Sequence, residues 1–87
     1  MKRSDNILFN YKGKSPYRVE GYDKDHDVYM TYWEGNDFKM AREIATVLDK
    51  IAEKDELIRY TSDMAKEPID WVQVTDKNDT MVFLQRW

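Results

Sequence analysis

The chain has 87 residues, enough for one compact domain with a single core, and its hydrophobic content of 41% and aromatic content of 14% exclude a disordered chain. It contains no cysteine, which excludes a disulfide framework, a thiolate nucleophile and a cysteine zinc site. With 14 Lys and Arg against 17 Asp and Glu, the net charge of -3 is not the basic footprint of a dedicated duplex-DNA binder.

Charge is unevenly distributed along the chain. Residues 1–24 contain six Lys and Arg and three Asp and Glu, whereas residues 25–87 contain eight Lys and Arg and fourteen Asp and Glu. Residues 1–16 are predicted to form a basic N-terminal arm or an edge strand over Ile7 to Tyr11. No segment has the apolar run of a signal peptide or the roughly 20 apolar residues of a membrane span. We therefore expect a cytoplasmic protein without membrane contact.

Two β-hairpins are predicted, one near each end of the chain. The stretches Y-R-V-E-G-Y and V-Y-M-T-Y-W are rich in aromatic and β-branched residues, and D-K-D-H-D lies between them, which predicts a hairpin over residues 17–34. The stretches I-D-W-V-Q-V-T and T-M-V-F-L-Q-R-W flank the turn-forming residues D-K-N-D. They predict a second hairpin over residues 69–87.

One amphipathic helix is predicted between the hairpins, over residues 36–54. Asn36 or Asp37 offers an N-cap side chain, and the apolar pattern breaks at Asp55. The apolar residues recur at steps of three and four: Phe38, Ala41, Ile44, Ala45, Leu48, Ile51 and Ala52.

The segment Leu57 to Ala65 is predicted to be a second short helix or an irregular return, and Pro68 ends it. The resulting order is ββαββ, and sheet and helix each have one apolar face to bury. We therefore predict a single domain over residues 1–87 of the α+β class. It would be a two-layer sandwich, in which an antiparallel sheet of four to five strands packs on one main helix.

Three alternate carboxylates in the first predicted turn raise the question of a cation site. Asp23, Asp25 and Asp27 match positions 1, 3 and 5 of a calcium loop, and Glu34 falls at position 12. Val28 stands where that loop requires glycine, and the strand that follows separates Asp27 from Glu34 by about 20 Å. We expect a hairpin turn and no bound metal. The alternative is a weak Mg²⁺ or Ca²⁺ site, which would be needed for a metal-assisted enzyme.

Other catalytic arrangements are not evident in the sequence. Ser4, Ser15 and Ser62 have only His26 as a base, and no nucleophile motif surrounds them. The three glycines are scattered and form no phosphate-binding loop. We predict a non-enzymatic protein without a cofactor, in which His26 is a solvated loop residue.

The distribution of aromatic residues favours a protein-binding surface. Strand alternation places large rings on both faces of the sheet, and one helix covers only one face. Exposed tyrosine and tryptophan are enriched at binding hot spots, although a small domain can also simply bury its aromatic residues. We predict that a partner contacts Tyr22, Tyr29, Trp33 and Trp87, together with the acidic residues Asp49, Glu53 and Glu56.

An RNA-binding regulator is the second hypothesis. Aromatic side chains of the sheet could stack on bases while Lys12, Lys14 and Arg18 hold phosphates. The fourteen acids of residues 25–87 would repel RNA unless the basic arm alone faced it. This charge balance favours a protein partner over RNA.

The helix D-F-K-M-A-R-E-I-A-T-V-L-D-K-I and the closing hairpin I-D-W-V-Q-V-T-D-K-N-D-T resemble, in layout, small accessory proteins of lytic bacteriophages. The resemblance covers residues 17–87. It implies an anti-defence role, in which the protein binds and inhibits or redirects a host protein or defence complex in the host cytoplasm. Independently of this resemblance, a second copy could close an uncovered aromatic face or a free edge strand, so we expect a monomer or a homodimer.

Overall fold

The computed structural model describes residues 16–85. Its elements, in chain order, are β1 Tyr17–Asp23, β2 Val28–Gly35, α1 Phe38–Glu53, β3 Ile58–Tyr60, β4 Lys66–Pro68, β5 Trp71–Asp76 and β6 Met81–Leu84. A four-stranded antiparallel sheet has the order β2-β1-β5-β6, and β3 and β4 pair in a separate two-stranded ribbon. The predicted α+β class, with one helix and a four-stranded antiparallel sheet, is confirmed.

The two hairpins join through their first strands, β1 and β5, which form the centre of the sheet. Val19 pairs with Val74, and Gly21 pairs with Val72. Because side chains alternate along a strand, these residues lie on the side of the sheet that packs on α1. We call that side the helix face and the opposite side the second face.

The helix begins and ends at identifiable signals. Of the two predicted N-cap residues, Asp37 is the one that caps the helix: its side chain accepts a hydrogen bond from the Met40 amide at 3.1 Å, and the helix starts at Phe38. Asp55 adopts a left-handed backbone with φ of 58°, which is incompatible with continuing the helix. Among residues 16–85, no helix is long and apolar enough to cross a membrane.

Small residues allow the helix to lie close to the sheet. Three alanines face the strands, and their short side chains leave room for the branched residues of β1 and β5. Ile69, which follows the ribbon, completes this buried cluster. Its members are Val19, Ala41, Ala45, Ala52, Ile69, Val72 and Val74.

Gly21 is required by the packing on the helix face. A Cβ at this position would lie 2.8 Å from Ile69 Cγ2 and 2.8 Å from Tyr32 Cε2, closer than carbon atoms approach each other. Two large side chains therefore pack directly on the backbone of the central strand, which explains a glycine in the middle of it.

Asp49 is buried, contrary to the prediction that it belongs to an exposed acidic surface. It follows Ala45 by four residues and so lies on the buried side of α1. Its Oδ1 accepts a hydrogen bond from the Val72 amide at 3.0 Å. Asp49 therefore connects the helix to the central strand β5.

Residues 57–65 do not form the predicted short helix. The chain returns here, as in the alternative prediction, but the return includes paired strands of a ribbon. Ile58 pairs with Pro68 and Tyr60 with Lys66, and the Thr61 amide donates to the Ala65 carbonyl at 2.9 Å. Met64, with φ of 64°, supplies the left-handed residue of the tip. The ribbon adds two strands between α1 and β5, so the order differs from ββαββ.

Some predictions lie outside the described residues. One is the basic arm or edge strand predicted within residues 1–16, of which only residue 16 is described. The other is the end of the C-terminal hairpin, residues 86 and 87.

Replacing Asp49 tests the connection between helix and sheet. We expect Asp49→Ala to lower the free energy of unfolding by about 2 kcal/mol, because it leaves the buried Val72 amide without its acceptor. Urea unfolding followed by far-UV circular dichroism measures this change.

Two variants of the same helix provide the comparison. Asp49→Asn keeps an acceptor oxygen and should recover part of the loss, and Glu43→Ala, at an exposed position, should change stability by less than about 0.5 kcal/mol. Equal stability of Asp49→Ala and Glu43→Ala would contradict the assignment.

Candidate functional site

The carboxylates of D-K-D-H-D shape a turn. Asp23 is buried at the end of β1, and its Oδ1 accepts a hydrogen bond from the Asp25 amide at 3.1 Å. Asp27 has φ of 53° and accepts a hydrogen bond from the Tyr22 hydroxyl at 2.8 Å. The carboxylates of Asp23 and Asp27 therefore accept hydrogen bonds from different groups of the turn and the strand. Among residues 16–85, they do not converge as a group of three metal ligands.

A different group of potential ligands surrounds Asp23. Oxygen or nitrogen atoms of Asp23, His26 and Glu67 all lie within 4.8 Å of one another, a separation that a metal ion could bridge. The Asp23 Oδ2 already accepts a hydrogen bond from Arg59 Nε at 2.9 Å and lies 3.0 Å from His26 Nδ1. A cation would have to displace a guanidinium from a buried carboxylate, so the arrangement suits an ion pair better than a metal.

This ion pair fixes the inner side of the ribbon. Arg59 and Glu67 pair across the ribbon and are less exposed than the residues on either side of them. The ribbon is also held at its base, where the Ile69 amide donates to the Leu57 carbonyl at 2.8 Å. The Asp70 amide then donates to the Tyr22 carbonyl of β1 at 2.8 Å.

The outer side of the ribbon exposes three apolar side chains to solvent, beside Lys66, which pairs with Tyr60. Ile58 is 40% exposed, Tyr60 is 59% exposed and Met64, at the tip, is 74% exposed. Alternation explains this arrangement, because fixing Arg59 inward turns both of its strand neighbours outward. We call Ile58, Tyr60 and Met64 the ribbon patch.

A second apolar area lies on the outer side of α1. Met40 and Val47 are exposed and seven residues apart, which places them on one side of the helix. Val47 borders a shallow groove of about 400 Å³ with Lys39, Arg42, Glu43 and Thr46. These apolar side chains are interspersed with charged ones.

The second face of the sheet carries a chain of buried polar side chains. Trp71 Nε1 donates to Gln73 Oε1 at 2.9 Å, and Gln73 Nε2 donates to Thr75 Oγ1 at 3.1 Å. The Thr75 hydroxyl donates to Glu20 Oε1 at 2.7 Å. Arg18, on the same face, donates to Asp79 Oδ1 at 2.7 Å and to the Asp76 carbonyl at 2.8 Å.

Aromatic rings lie at one end of the second face. The centroid of the Tyr22 ring is 4.7 Å from that of Tyr29 and 4.8 Å from that of Trp71. These three rings, which we call the aromatic cluster, line a groove of about 620 Å³ together with Gln73, Asp79, Thr80 and Met81.

The expected exposure of the predicted aromatic residues is wrong for Tyr22 and Tyr29, which are 8% and 6% exposed. Trp33 packs against the core on the helix face, because a β-bulge at Tyr32, opposite Val19 and Glu20, reverses the alternation that would place Trp33 with Tyr29. Trp87 lies outside the described residues. Whether these residues contact a partner stays a prediction.

The predicted charged residues also lie in different environments, some exposed and some buried. Glu53 and Glu56 are exposed beside the ribbon, as expected for an acidic surface. Arg18 is buried and bound to Asp79, so it does not present a cation to phosphates, contrary to its predicted role. Lys12 and Lys14 lie outside the described residues.

The ribbon patch was not predicted from the sequence. The alternation of I-R-Y is a weak strand signal, and three residues are too few to distinguish it from a loop. Trp71 was likewise not among the predicted residues, although it completes the aromatic cluster on the second face.

Comparisons with known proteins leave the site to be interpreted from its own chemistry. No protein-family model matches the chain, and neither a curated protein nor a solved structure matches it.

Removing the cation of the buried ion pair should loosen the ribbon. We expect Arg59→Ala to cost about 3 kcal/mol in unfolding free energy, because it leaves the Asp23 carboxylate buried without the guanidinium. Amide hydrogen exchange at Ile69, whose amide bonds to Leu57, should accelerate. Lys66→Ala, at an exposed ribbon position, is the control, and equal exchange in the two variants would contradict this role.

Ionisation of Tyr22 provides a pH test. Burial, followed by the hydrogen bond to Asp27 and the charge of that carboxylate, raises the pKa of Tyr22 to about 12. The unfolded residue ionises near pH 10, so the stability that this residue contributes is complete below pH 10 and is lost as the pH rises to about 12.

The measurement is the near-ultraviolet difference titration between the wild type and Tyr22→Phe. This subtraction is needed because burial also raises the pKa of Tyr32. A phenolate signal that is already complete at pH 10 would contradict the burial of Tyr22.

Proposed function

We propose that the protein is a non-enzymatic interaction protein that uses the ribbon patch to bind a partner protein. The observation that carries this proposal is the exposure of Ile58, Tyr60 and Met64 on a ribbon whose inner side is fixed by the Arg59–Asp23 ion pair. Apolar side chains on a fixed support lose little conformational freedom on binding, which favours affinity.

The charges around the patch support a partner with a basic surface. Residues 16–85 carry nine Lys and Arg against sixteen Asp and Glu, a net charge of -7. Glu53, Asp55 and Glu56 are exposed immediately before the ribbon. Carboxylates at the rim of an apolar patch accelerate association with a cationic surface and disfavour anionic competitors.

In its more specific form, the proposal is that this partner belongs to a host cell. The support is the resemblance in layout to small bacteriophage accessory proteins, which often bind and inhibit or redirect a host enzyme or defence complex. The protein would act in the host cytoplasm, with its helix and sheet as the two layers of the supporting domain.

RNA binding has weaker support among the described residues. Arg18 is buried, and the net charge of residues 16–85 repels phosphates. The experiment below therefore distinguishes capture of RNA from capture of a protein partner.

The experiment combines capture from host lysate with matched variants. Tyr60→Ala with Met64→Ala removes most of the ribbon patch. For the partner that the wild type captures, we expect this double variant to raise Kd by about 30-fold, because truncating hot-spot residues costs about 2 kcal/mol or more. Titration calorimetry with the purified partner measures Kd.

Met40→Ala with Val47→Ala, on the outer side of α1, is the matched control, since it also removes two exposed apolar side chains. It should leave Kd nearly unchanged. Capture that nuclease treatment abolishes, or equal loss in both double variants, would overturn the proposed role of the ribbon patch.

A further inference from the structure

The tip of the ribbon is a three-residue loop whose last position requires a left-handed backbone. The Met64 amide donates to the Thr61 carbonyl at 2.9 Å, which closes a turn over residues 61–64, and the Thr61 amide donates to the Ala65 carbonyl at 2.9 Å. The Ala65 amide also donates to the Thr61 hydroxyl at 3.1 Å. In hairpin loops of this length, the residue that follows the turn has positive φ and is favoured to be glycine. In this chain it is Met64, with φ of 64°.

A methionine does not fit the local preference at this position. Among residues 16–85, the other residues with positive φ are Asp27, Asp55 and Asp79. A left-handed backbone brings the Cβ of any residue except glycine close to the following carbonyl oxygen. The short polar side chain of aspartate can offset this cost through local hydrogen bonds, which a methionine side chain cannot form. The ribbon tip therefore carries a backbone strain that the residue type reduces at the three other positions.

The side chain of Met64 gains little from packing within the molecule. It is 74% exposed, more than any other large hydrophobic side chain of residues 16–85. Its neighbours Ser62, Asp63 and Ala65 are also exposed and have shorter side chains, so the thioether is the largest apolar group at the tip. A residue that violates a local preference without a gain inside the molecule is expected where that residue serves binding.

We propose that Met64 is the anchor of the ribbon patch and inserts into an apolar pocket of the partner protein, lined by aromatic rings and rimmed by Lys and Arg side chains. This inference rests on the proposed function and names the chemistry of the partner's site. A pocket surrounds a protruding side chain and removes it from water, as at binding hot spots, and a thioether sulfur makes favourable contacts with aromatic rings. Within residues 53–66, four exposed carboxylates outnumber two exposed lysines, which matches a basic rim.

The strain at Met64 is tested in the free protein by thermal unfolding. Met64→Asn and Met64→Gly should each raise the midpoint temperature by about 2 °C or more, because asparagine and glycine adopt positive φ at lower cost. The matched control is Met40→Asn, at an exposed position of α1. It should lower the midpoint, because asparagine is a weaker helix former than methionine. A midpoint that does not rise in either Met64 variant would overturn the proposal.

The anchor role is tested by titration calorimetry with the purified partner that the wild type captures. Met64→Asn should raise Kd about 10-fold or more although it stabilises the free protein, a combination that a merely structural role would not produce. Met64→Leu keeps an apolar side chain of similar volume and should raise Kd less than about threefold. An unchanged Kd for Met64→Asn, with loss of binding in the double variant of Tyr60 and Met64, would overturn the anchor role alone. Unchanged binding in both would overturn the proposed function as well.

Oxidation footprinting of the wild type locates the thioether without any substitution. Dilute hydrogen peroxide transfers one oxygen atom to the sulfur of an accessible methionine and leaves as water, and peptide mass spectrometry measures the sulfoxide at each position. The oxidation rate of Met64 should fall about 10-fold in the complex, because the pocket excludes peroxide. Met40, which is 46% exposed on α1, is the internal control and should be oxidised at the same rate with and without the partner. Equal rates for Met64 in the free and bound protein would overturn the proposal.

Discussion

A guanidinium and a carboxylate that are both shielded from water determine where the ribbon lies. Arg59 Nε donates to Asp23 Oδ2 at 2.9 Å, and Asp23 also closes the D-K-D-H-D turn through the Asp25 amide. One buried carboxylate thus connects the first hairpin to the ribbon after the helix. Without the cation, the carboxylate would have to remain charged in a poorly solvated site or separate from the ribbon. The outward direction of Ile58 and Tyr60 depends on this contact, because their neighbour Arg59 is held inward.

The side chains on the two faces of the sheet are buried by different kinds of contact. The helix face is closed by alanines of α1 and branched residues of β1 and β5, with Asp49 joining the two elements through the Val72 amide. The second face relies on hydrogen bonds that run from Trp71 through Gln73 and Thr75 to Glu20. Such a network is stabilising only when it is shielded from water and its hydrogen bonds are satisfied.

The ribbon patch and the groove beside the aromatic cluster are separate surfaces of the molecule. The ribbon patch lies at the end of the sheet that carries the D-K-D-H-D turn, since Arg59 reaches Asp23 at the end of β1. The groove beside the aromatic cluster lies on the second face of the sheet, among Tyr22, Tyr29 and Trp71. A partner on the ribbon patch would therefore contact side chains other than those that line this groove.

Elements with a regular period could be predicted from the sequence, whereas contacts between distant residues could not. The helix and both strand pairs follow from apolar spacing and turn residues, and the N-cap, Asp37, is one of the two residues predicted for that position. The three-residue strands of the ribbon contain K-E-P, which carries no strand pattern. The bulge in β2, where Tyr32 has no partner in β1, moved Trp33 to the helix face, and no sequence signal marked it.

Buried polar residues were the least predictable part of the candidate site. Asp49 appeared to be a solvent-exposed acid because its partner, the Val72 amide, is 23 residues away. Arg18 appeared to be a free cation because Asp79, which it binds, is 61 residues away. In both cases the tertiary fold supplies the hydrogen bond that makes burial of the charged side chain tolerable.

A double-mutant cycle between Asp23 and Arg59 tests most directly whether this buried pair holds the ribbon. The free energies of unfolding of Asp23→Asn, Arg59→Met and the double variant would be compared with that of the wild type by urea titration. The two substitutions should be non-additive, with a coupling free energy of about 2 kcal/mol, because either one alone removes the same ion pair. Additivity to within about 0.5 kcal/mol would contradict the dependence of the ribbon on this interaction.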